Sequence, residues 1–301
     1  LEAAGCELIR EHLTSEDDLI LALAGADVVL NQFSQITARV IDALDRCRGI
    51  VRYGVGFDTV DVEAATRRGI YVCNVPDYGT DEVSDHAITL LLAIARKLIV
   101  AARGVQEGVW SVEPIKPVGR LRGRTLGIVG LGRIGAMTAA KAQAFGIRVI
   151  AYDPLRPMHY FAERNVGRAT LDELLQTSDY LSIHAPLSGE TRHLIDERAL
   201  SLMKPTAFLV NTARGGLVDG AALARALRSG QIAGAAIDVA EQEPIPRDSP
   251  LLGLENCIVT PHAAWYSDES SAALQRLAGE EAARLVLGEP PRCPINRPVS
   301  R

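Results

Sequence analysis

An α/β protein with two doubly wound parallel sheets is the fold class that the sequence predicts, and three observations predict it. Short apolar runs of strand length alternate with helical patterns over most of the 301 residues. This length suits two domains better than one small core. A glycine-rich turn at 130–135 separates an apolar run from a helical pattern. Such alternation is typical of parallel sheets that helices cover on both faces.

The first series of predicted elements occupies residues 7–74. Apolar runs bounded by turn or helix signals predict strands at 7–9, 28–30, 49–53 and 71–73. Helical periodicity between them predicts helices at 15–24, 37–46 and 62–68. The chain begins at Leu1 with the composition of a helix, so we expect one further strand to precede it.

The second series is marked more clearly. Apolar runs predict its six strands at 125–129, 148–152, 180–183, 207–210, 234–238 and 257–259. A capping box at Thr170 and Glu173 begins one helix, and Gly146 and Gly230 end two others. Six strands with crossover helices make up a complete dinucleotide-binding sheet.

The last long helical pattern, 268–287, ends at Gly288 and lies beyond the sixth strand of the second series. We therefore expect it to return to the first domain. The predicted domains are 1–75 as the first part of a substrate domain, 76–266 as a dinucleotide-binding domain, and 267–301 as the returning segment. The fold is thus a Rossmann domain inserted into a flavodoxin-like domain.

The glycine-rich turn fits the pattern G-x-G-x-x-G directly after an apolar strand and before a helical pattern at 134–145. Gly130 allows the tight turn, Gly132 lets a pyrophosphate approach the backbone, and Gly135 permits close packing of helix on strand. The helix N-terminus adds partial positive charge for the phosphates. A tight turn without a ligand is the alternative interpretation, and the surrounding strand–turn–helix context argues against it.

An acidic residue, Asp153, ends the second strand of this series. A carboxylate at that place accepts hydrogen bonds from the adenosine ribose hydroxyls and repels a 2′-phosphate. The sequence therefore favours NAD over NADP as the cofactor. Arg156, three residues on, is the residue that could reach a phosphate instead.

Four polar residues follow successive strands, where ligands of such sheets bind. Arg214 offers a planar fork for a substrate carboxylate and polarises a carbonyl. His262 supplies a proton to a nascent alkoxide, and Glu243 holds the other nitrogen of its ring. Asp238 is expected to bind the nicotinamide carboxamide or to order the arginine loop. Together they predict hydride transfer between NAD and a small 2-keto or 2-hydroxy acid.

Each of these residues also has a structural interpretation. Arg214 could brace a glycine turn, Glu243 could be an exposed loop acid, and His262 could be an ordinary histidine at a strand end. The coincidence of all three at one sheet edge favours the catalytic interpretation. The remaining histidines and the cysteines lack metal-ligand spacing, so no metal is expected. No serine lies in a G-x-S-x-G context, which argues against a hydrolase.

Composition narrows the function classes further. A net charge of −5 without clustered Lys and Arg offers no surface for nucleic acid. No apolar run reaches the roughly 18 residues that a membrane helix needs. The five cysteines are scattered and form no CxxC pair, so we expect reduced thiols and a cytoplasmic location.

These motifs resemble the D-isomer-specific 2-hydroxyacid dehydrogenase family over nearly the whole chain. The resemblance rests on segments 130–135, 211–219, 238–244 and 261–262. Within the family, segments 52–58, 73–76 and 261–267 are most similar to the C-terminal binding proteins, which are dehydrogenase-like corepressors.

The resemblance implies further site residues. Val55 and Gly56 would offer backbone amides to the substrate carboxylate, and Trp265 would line the substrate pocket. Arg52 matches an arginine of 3-phosphoglycerate dehydrogenases that helps to bind phosphate. The resulting cofactor groove comprises Gly130, Gly132, Arg133, Ile134, Asp153, His184, Pro186, Thr191, Thr212, Ala213 and Asp238. Family members dimerise through the helical extension, here 78–110, so a homodimer is expected.

Two alternatives to the 2-keto acid reductase remain at this point. One is an NAD(H)-sensing, corepressor-like module that binds proteins and uses the cofactor to stabilise a dimer. The other is a 3-phosphoglycerate dehydrogenase, which Arg52 would suit and the apolar indole of Trp265 would not. Formate oxidation is disfavoured because Glu243 stands where that subgroup is expected to carry an amide.

Overall fold

The computed structural model describes residues 1, 5–13 and 15–298. Its internal contacts divide the chain into two compact units. Unit 1 consists of Leu1–Gly79 and Tyr266–Arg301, and unit 2 of Thr80–Trp265. In the described part of the chain, no helix is long and apolar enough to cross a membrane.

Unit 1 contains a three-stranded parallel sheet in the order β1-β2-β3. Its strands are β1 (Val28–Asn31), β2 (Gly49–Arg52) and β3 (Tyr71–Cys73). Its helices are α1 (Glu16–Ala22), α2 (Ala38–Asp42), α3 (Val62–Arg67) and a C-terminal helix, Asp268–Leu287. The C-terminal helix packs against β1 and β2 of this unit.

The strand predicted at 7–9 is wrong. Residues 5–13 form neither helix nor strand, and the side chains of Leu8 and Ile9 are 41% and 70% exposed. A strand needs a hydrogen-bonded neighbour, and none of the described strands pairs with this segment. A short apolar run by itself does not reveal whether such a neighbour exists.

Unit 2 contains a seven-stranded parallel sheet in the order β10-β9-β8-β7-β4-β5-β6. Its strands are β4 (Thr125–Val129), β5 (Arg148–Tyr152), β6 (Gly167–Arg168), β7 (Tyr180–Ile183), β8 (Phe208–Asn211), β9 (Gly234–Ile237) and β10 (Cys257–Val259). The chain runs outward from β4 to β6 and then in the opposite direction from β7 to β10. The switch point between β4 and β7 is where such sheets bind ligands.

Helices cover both faces of this sheet. They are α4 (Thr80–Ala95), α5 (Leu98–Gln106), α6 (Arg133–Ala144), α7 (Met158–Ala162), α8 (Leu171–Thr177), α9 (Glu197–Leu202) and α10 (Gly220–Ser229). Neighbouring strand residues point to opposite faces, so Leu209 joins one buried apolar cluster and Val210 the other. Helices α4 and α6 pack on the Val210 face, and α8 to α10 on the Leu209 face.

The second series differs from prediction in three places, the first being the strand expected at 207–210, which lies at Phe208–Asn211. The short edge strand β6 was not expected, because both of its residues are exposed and no apolar run marks them. The strand expected at 234–238 ends at Ile237, which leaves Asp238 in the following loop. The predicted capping box at Thr170 is present, and Gly230 ends α10 in the left-handed conformation.

Candidate active site

The glycine-rich turn joins β4 to α6. Gly130 has φ 89°, and a side chain there would place Cβ only 2.7 Å from the Ala185 nitrogen. A Cβ at Gly135 would lie 2.2 Å from the Gly130 carbonyl oxygen. At Gly132, by contrast, a Cβ would meet no atom within 4 Å. The turn is therefore closely packed on two sides and open at the N-terminus of α6.

Asp153 lies beside this turn, directly after β5. One of its carboxylate oxygens accepts a hydrogen bond from the Leu131 N–H at 2.9 Å, and the other accepts one from the Leu155 N–H at 3.0 Å. The Arg156 Nε lies 4.0 Å from the carboxylate, and its guanidinium lies 4.9 Å from the centre of the Tyr160 ring. Arg156, the residue that could bind a 2′-phosphate, therefore interacts with both the Asp153 carboxylate and the Tyr160 ring.

The other predicted groove residues follow β7 and β8. His184 bonds to the Ser182 hydroxyl at 2.9 Å, and burial lowers its pKa to about 4, so the ring is neutral near pH 7. Thr191 Oγ1 donates to the Pro186 carbonyl at 2.8 Å and thereby closes the loop after β7. These contacts order the residues that follow β7, and the neutral ring of His184 adds no charge to them.

Thr212 gives an independent indication of a ligand. Its Oγ1 is buried and has no hydrogen-bond partner among the described residues. An unpaired buried hydroxyl costs free energy unless a ligand or water satisfies it. The open space at Gly132, the acid at Asp153 and the unpaired Thr212 hydroxyl together fit a bound dinucleotide.

The arginine turn follows β8. Asn211 Nδ2 donates to the Arg214 carbonyl at 2.9 Å, and Asn211 Oδ1 accepts from the Ala213 N–H at 3.0 Å. A Cβ at Gly215 would lie 1.9 Å from the Ala240 carbonyl carbon, so only glycine fits there. The turn therefore fixes the backbone from which the Arg214 guanidinium extends.

His262 and Glu243 form a close pair, with 2.6 Å between His262 Nδ1 and a Glu243 carboxylate oxygen. The other carboxylate oxygen accepts from the Ala240 N–H at 2.9 Å. Partial burial raises the pKa of Glu243, but the His262 and Ala240 hydrogen bonds and the charge of Arg214 outweigh it. The pKa of Glu243 therefore lies below its ordinary value, and both side chains of the pair remain more than one-third exposed.

Asp238 is buried and orders the loop that carries His262. Its carboxylate accepts from the Thr260 hydroxyl at 2.5 Å, the Ala263 N–H at 2.9 Å and the Ala264 N–H at 2.8 Å. His262 between them has φ 54°, a left-handed conformation that costs a non-glycine residue free energy. Asp238 was expected to bind the nicotinamide carboxamide or to order the arginine loop. Its carboxylate instead forms hydrogen bonds with the loop that carries His262.

The structure thus places Arg214, Glu243 and His262 in one electrostatic neighbourhood of unit 2. Trp265 is the last residue of this unit, whereas Arg52, Val55 and Gly56 belong to unit 1. Sequence reasoning missed the supporting residues Asn211, Ala240 and Thr260. Their positions next to predicted site residues were the only available signal. No cluster of metal-ligating side chains occurs in the described part of the chain.

Known proteins are similar to this chain. Residues 88–264 match the model of the D-isomer specific 2-hydroxyacid dehydrogenase, NAD binding domain. Glyoxylate reductase of Korarchaeum cryptofilum is 46% identical over 267 residues, which cover 88% of this chain and 80% of that protein. The chain belongs to the D-isomer-specific 2-hydroxyacid dehydrogenase family. It is therefore an NAD-dependent oxidoreductase that interconverts a small 2-keto acid and its D-2-hydroxy acid.

Two further proteins are similar to this dehydrogenase over most of its length. D-3-phosphoglycerate dehydrogenase of Methanocaldococcus jannaschii is 39% identical over 99% of this chain, which spans 57% of that longer protein. The structure of D-lactate dehydrogenase from Aquifex aeolicus complexed with NAD and lactic acid has a TM-score of 0.84 at 31% identity. That match covers 90% of this chain and 86% of the other.

Proposed function

We propose that this dehydrogenase uses NADH to reduce a small 2-keto acid of the glyoxylate type. Such a substrate carries no charged group other than its carboxylate. The observation that carries the proposal is the His262–Glu243 pair at 2.6 Å, within the electrostatic reach of Arg214. Such a pair supplies a proton, and the guanidinium supplies a carboxylate-binding fork. A protein that only senses the cofactor has no need of either.

The proton in this reaction comes from His262. Its Nδ1 faces Glu243, so Nε2 is the ring atom left to face the substrate. The Glu243 carboxylate thereby holds the ring in an orientation from which Nε2 can donate a proton. When NADH is bound, it supplies a hydride to C2 of the keto acid. The carbonyl π electrons then move to oxygen, and this oxygen takes the proton from His262 Nε2.

Arg214 binds and polarises the substrate in this proposal. Its Nη1 donates to the Ala213 carbonyl at 2.8 Å, which leaves the other N–H groups of the guanidinium to bind a carboxylate. Its positive charge stabilises the developing alkoxide. The hydrogen bonds of Asn211 and the tight contact at Gly215 hold the backbone of Arg214 in one conformation, so this backbone loses little entropy when substrate binds.

The substrate roles of Arg52, Val55, Gly56 and Trp265 are part of the proposal. In unit 1, the Val55 carbonyl accepts from Asn74 Nδ2 at 2.6 Å, which fixes the loop carrying the two proposed amide donors. Arg52 lies over Gly54, where a Cβ would meet its guanidinium, and its Nη1 donates to the Tyr53 carbonyl. The Tyr53 carbonyl thus occupies part of the fork that a phosphate would need.

Substrate choice is tested by comparing kcat/KM for glyoxylate, hydroxypyruvate and 3-phosphohydroxypyruvate, each with NADH. We expect turnover of the first two and a much smaller kcat/KM for the phosphorylated acid. A preference for 3-phosphohydroxypyruvate would replace our proposal with a 3-phosphoglycerate dehydrogenase. The corepressor-like alternative would be favoured if NADH bound and none of the three acids was reduced.

Asp153 is proposed to bind the adenosine ribose and to select NADH. Replacing it with Ala removes the charge that repels a 2′-phosphate and the acceptor of the Leu131 N–H. We expect NADH binding to weaken roughly tenfold, as for the loss of a charged hydrogen bond, while NADPH binding is preserved or improved. Titration of cofactor fluorescence measures both, with Asp248→Ala on an exposed loop as control. Unchanged preference for NADH would contradict the ribose role.

We also propose a homodimer formed through the extension that contains α4 and α5. Helix α5 buries none of its own residues, and Leu98, Val105 and Trp110 in and after it are 58%, 50% and 89% exposed. Such an apolar surface indicates a protein interface. Sedimentation velocity should show a dimer, and Trp110→Ser should weaken it. A parent protein that is monomeric at micromolar concentration would contradict this proposal.

We propose the cytoplasm as the location of the enzyme. All five cysteines lie among the described residues, and none of them forms a disulfide. Reduced thiols are the rule in the cytosol, where NAD-dependent reductases find their cofactor.

A further inference from the structure

The buried carboxylate of Asp238 has an ionisable neighbour outside the set described above. The Asp238 side chain is 0% exposed, and His86 Nε2 lies 3.5 Å from Asp238 Oδ1. His86 lies in the second turn of α4 with 25% of its side chain exposed.

The hydrogen bonds around Thr260 have a defined direction. An ionised carboxylate only accepts, so the Thr260 hydroxyl donates its single hydrogen to Asp238 Oδ1 at 2.5 Å. The Thr260 oxygen is then the acceptor in its contact with His86 Nε2 at 3.1 Å. His86 must therefore carry a hydrogen on Nε2, which makes a relay from His86 through Thr260 to Asp238.

This relay ends at the backbone that carries His262. The Asp238 carboxylate holds the N–H groups of Ala263 and Ala264, and the Asp238 carbonyl accepts the His262 N–H at 2.8 Å. These bonds hold His262 at φ 54°. Such a conformation persists only when its surroundings fix it. Anything that turns the Thr260 hydroxyl away from Oδ1 loosens this support.

We propose that His86 is a positioning residue for His262, acting through Thr260 and Asp238. Its Nε2–H orients the Thr260 hydroxyl, which in turn completes the hydrogen bonding of the Asp238 carboxylate. The inference rests on the proposed role of His262 as proton donor. It assigns a function to a histidine whose spacing in the sequence indicates no metal site.

Two substitutions of His86 separate hydrogen bonding from packing. His86→Leu keeps a side chain of moderate size but removes the hydrogen-bond donor. His86→Gln restores an N–H donor at a similar distance from the backbone. For Leu we expect kcat on glyoxylate to fall roughly fivefold, the effect of one lost hydrogen bond, with KM and the Kd for NADH unchanged. For Gln we expect most of that loss to be recovered. Equal losses in both variants, or parent turnover in Leu, would overturn the proposal.

A double-mutant cycle with Thr260→Val tests whether the two residues act in one relay. Val keeps the shape of Thr and removes the hydroxyl. We expect the double variant His86→Leu/Thr260→Val to be no slower than Thr260→Val alone, because the relay is already broken. Losses that multiply would contradict a relay. If the Leu variant fails to bind NADH, the same cycle is run with His86→Ala.

The outcome for the parent protein separates this inference from the proposed function. Parent turnover with unchanged activity in both His86 variants overturns only the relay. A parent that binds NADH and reduces no 2-keto acid overturns the proposed function itself.

Discussion

Replacing His262 with Gln is expected to lower kcat for glyoxylate reduction by about 10²–10⁴-fold, the usual contribution of a positioned proton donor. The Gln amide still reaches Glu243 but has no proton to transfer to the alkoxide. NADH binding should stay close to the parent value, because the glycine-rich turn and Asp153 lie at other strands. Stopped-flow or steady-state loss of NADH absorbance measures kcat, and fluorescence titration measures the Kd.

The matched control for this variant is His159→Gln, at an exposed histidine of helix α7. It changes the same residue type in the same unit, at a place without a proposed role. We expect parent kcat for it. Turnover at the parent rate in His262→Gln would show that another group supplies the proton.

Replacing Glu243 with Gln is expected to change the pH dependence of turnover as well as its size. The Glu243 carboxylate bonds to His262 Nδ1 at 2.6 Å and holds the ring for proton transfer through Nε2. The Gln amide carries no charge, so this charge-assisted hydrogen bond is lost, and we expect kcat/KM to fall roughly tenfold.

The change in pH dependence is expected on the acid side. The pKa of Glu243 lies below its ordinary value because its hydrogen bonds and the Arg214 charge outweigh burial. The carboxylate of the parent therefore stays ionised as the pH falls through the usual glutamate range. Its activity should decline only below that range, and this acid limb should be absent in Glu243→Gln. Glu255→Gln is the exposed control, and identical pH profiles for parent and Glu243→Gln would contradict the pair.

The sequence predicts the central strands of unit 2 because each is a buried apolar run that ends at a turn signal. Strands β4, β5, β7 and β10 have the predicted bounds. The sequence could not reveal β6, because its two residues are exposed and only its pairing with β5 defines it as a strand. The segment 7–9 shows the converse, since it is apolar but pairs with none of the described strands and leaves Leu8 and Ile9 exposed. An apolar pattern therefore identifies a candidate strand, whereas strand pairing is a tertiary property.

The catalytic candidates were predictable for a different reason. Arg214, Glu243 and His262 follow strands whose carboxyl ends meet at one sheet edge, so their order in the chain implies proximity. The hydrogen bonds that fix them were not predictable. Asp238 holds the loop of His262 through backbone N–H groups, and such bonds depend on loop conformation, including the left-handed φ of His262.

The most direct test of the proposed function is the absorbance of NADH after glyoxylate is added to the purified protein. We expect the absorbance to fall at a rate proportional to enzyme concentration, with one NADH consumed per glyoxylate reduced, and to stay constant with His262→Gln over the same interval. A constant absorbance with the parent protein, under conditions where NADH binding is demonstrated, would contradict the assignment of Arg214, Glu243 and His262 as a working catalytic set.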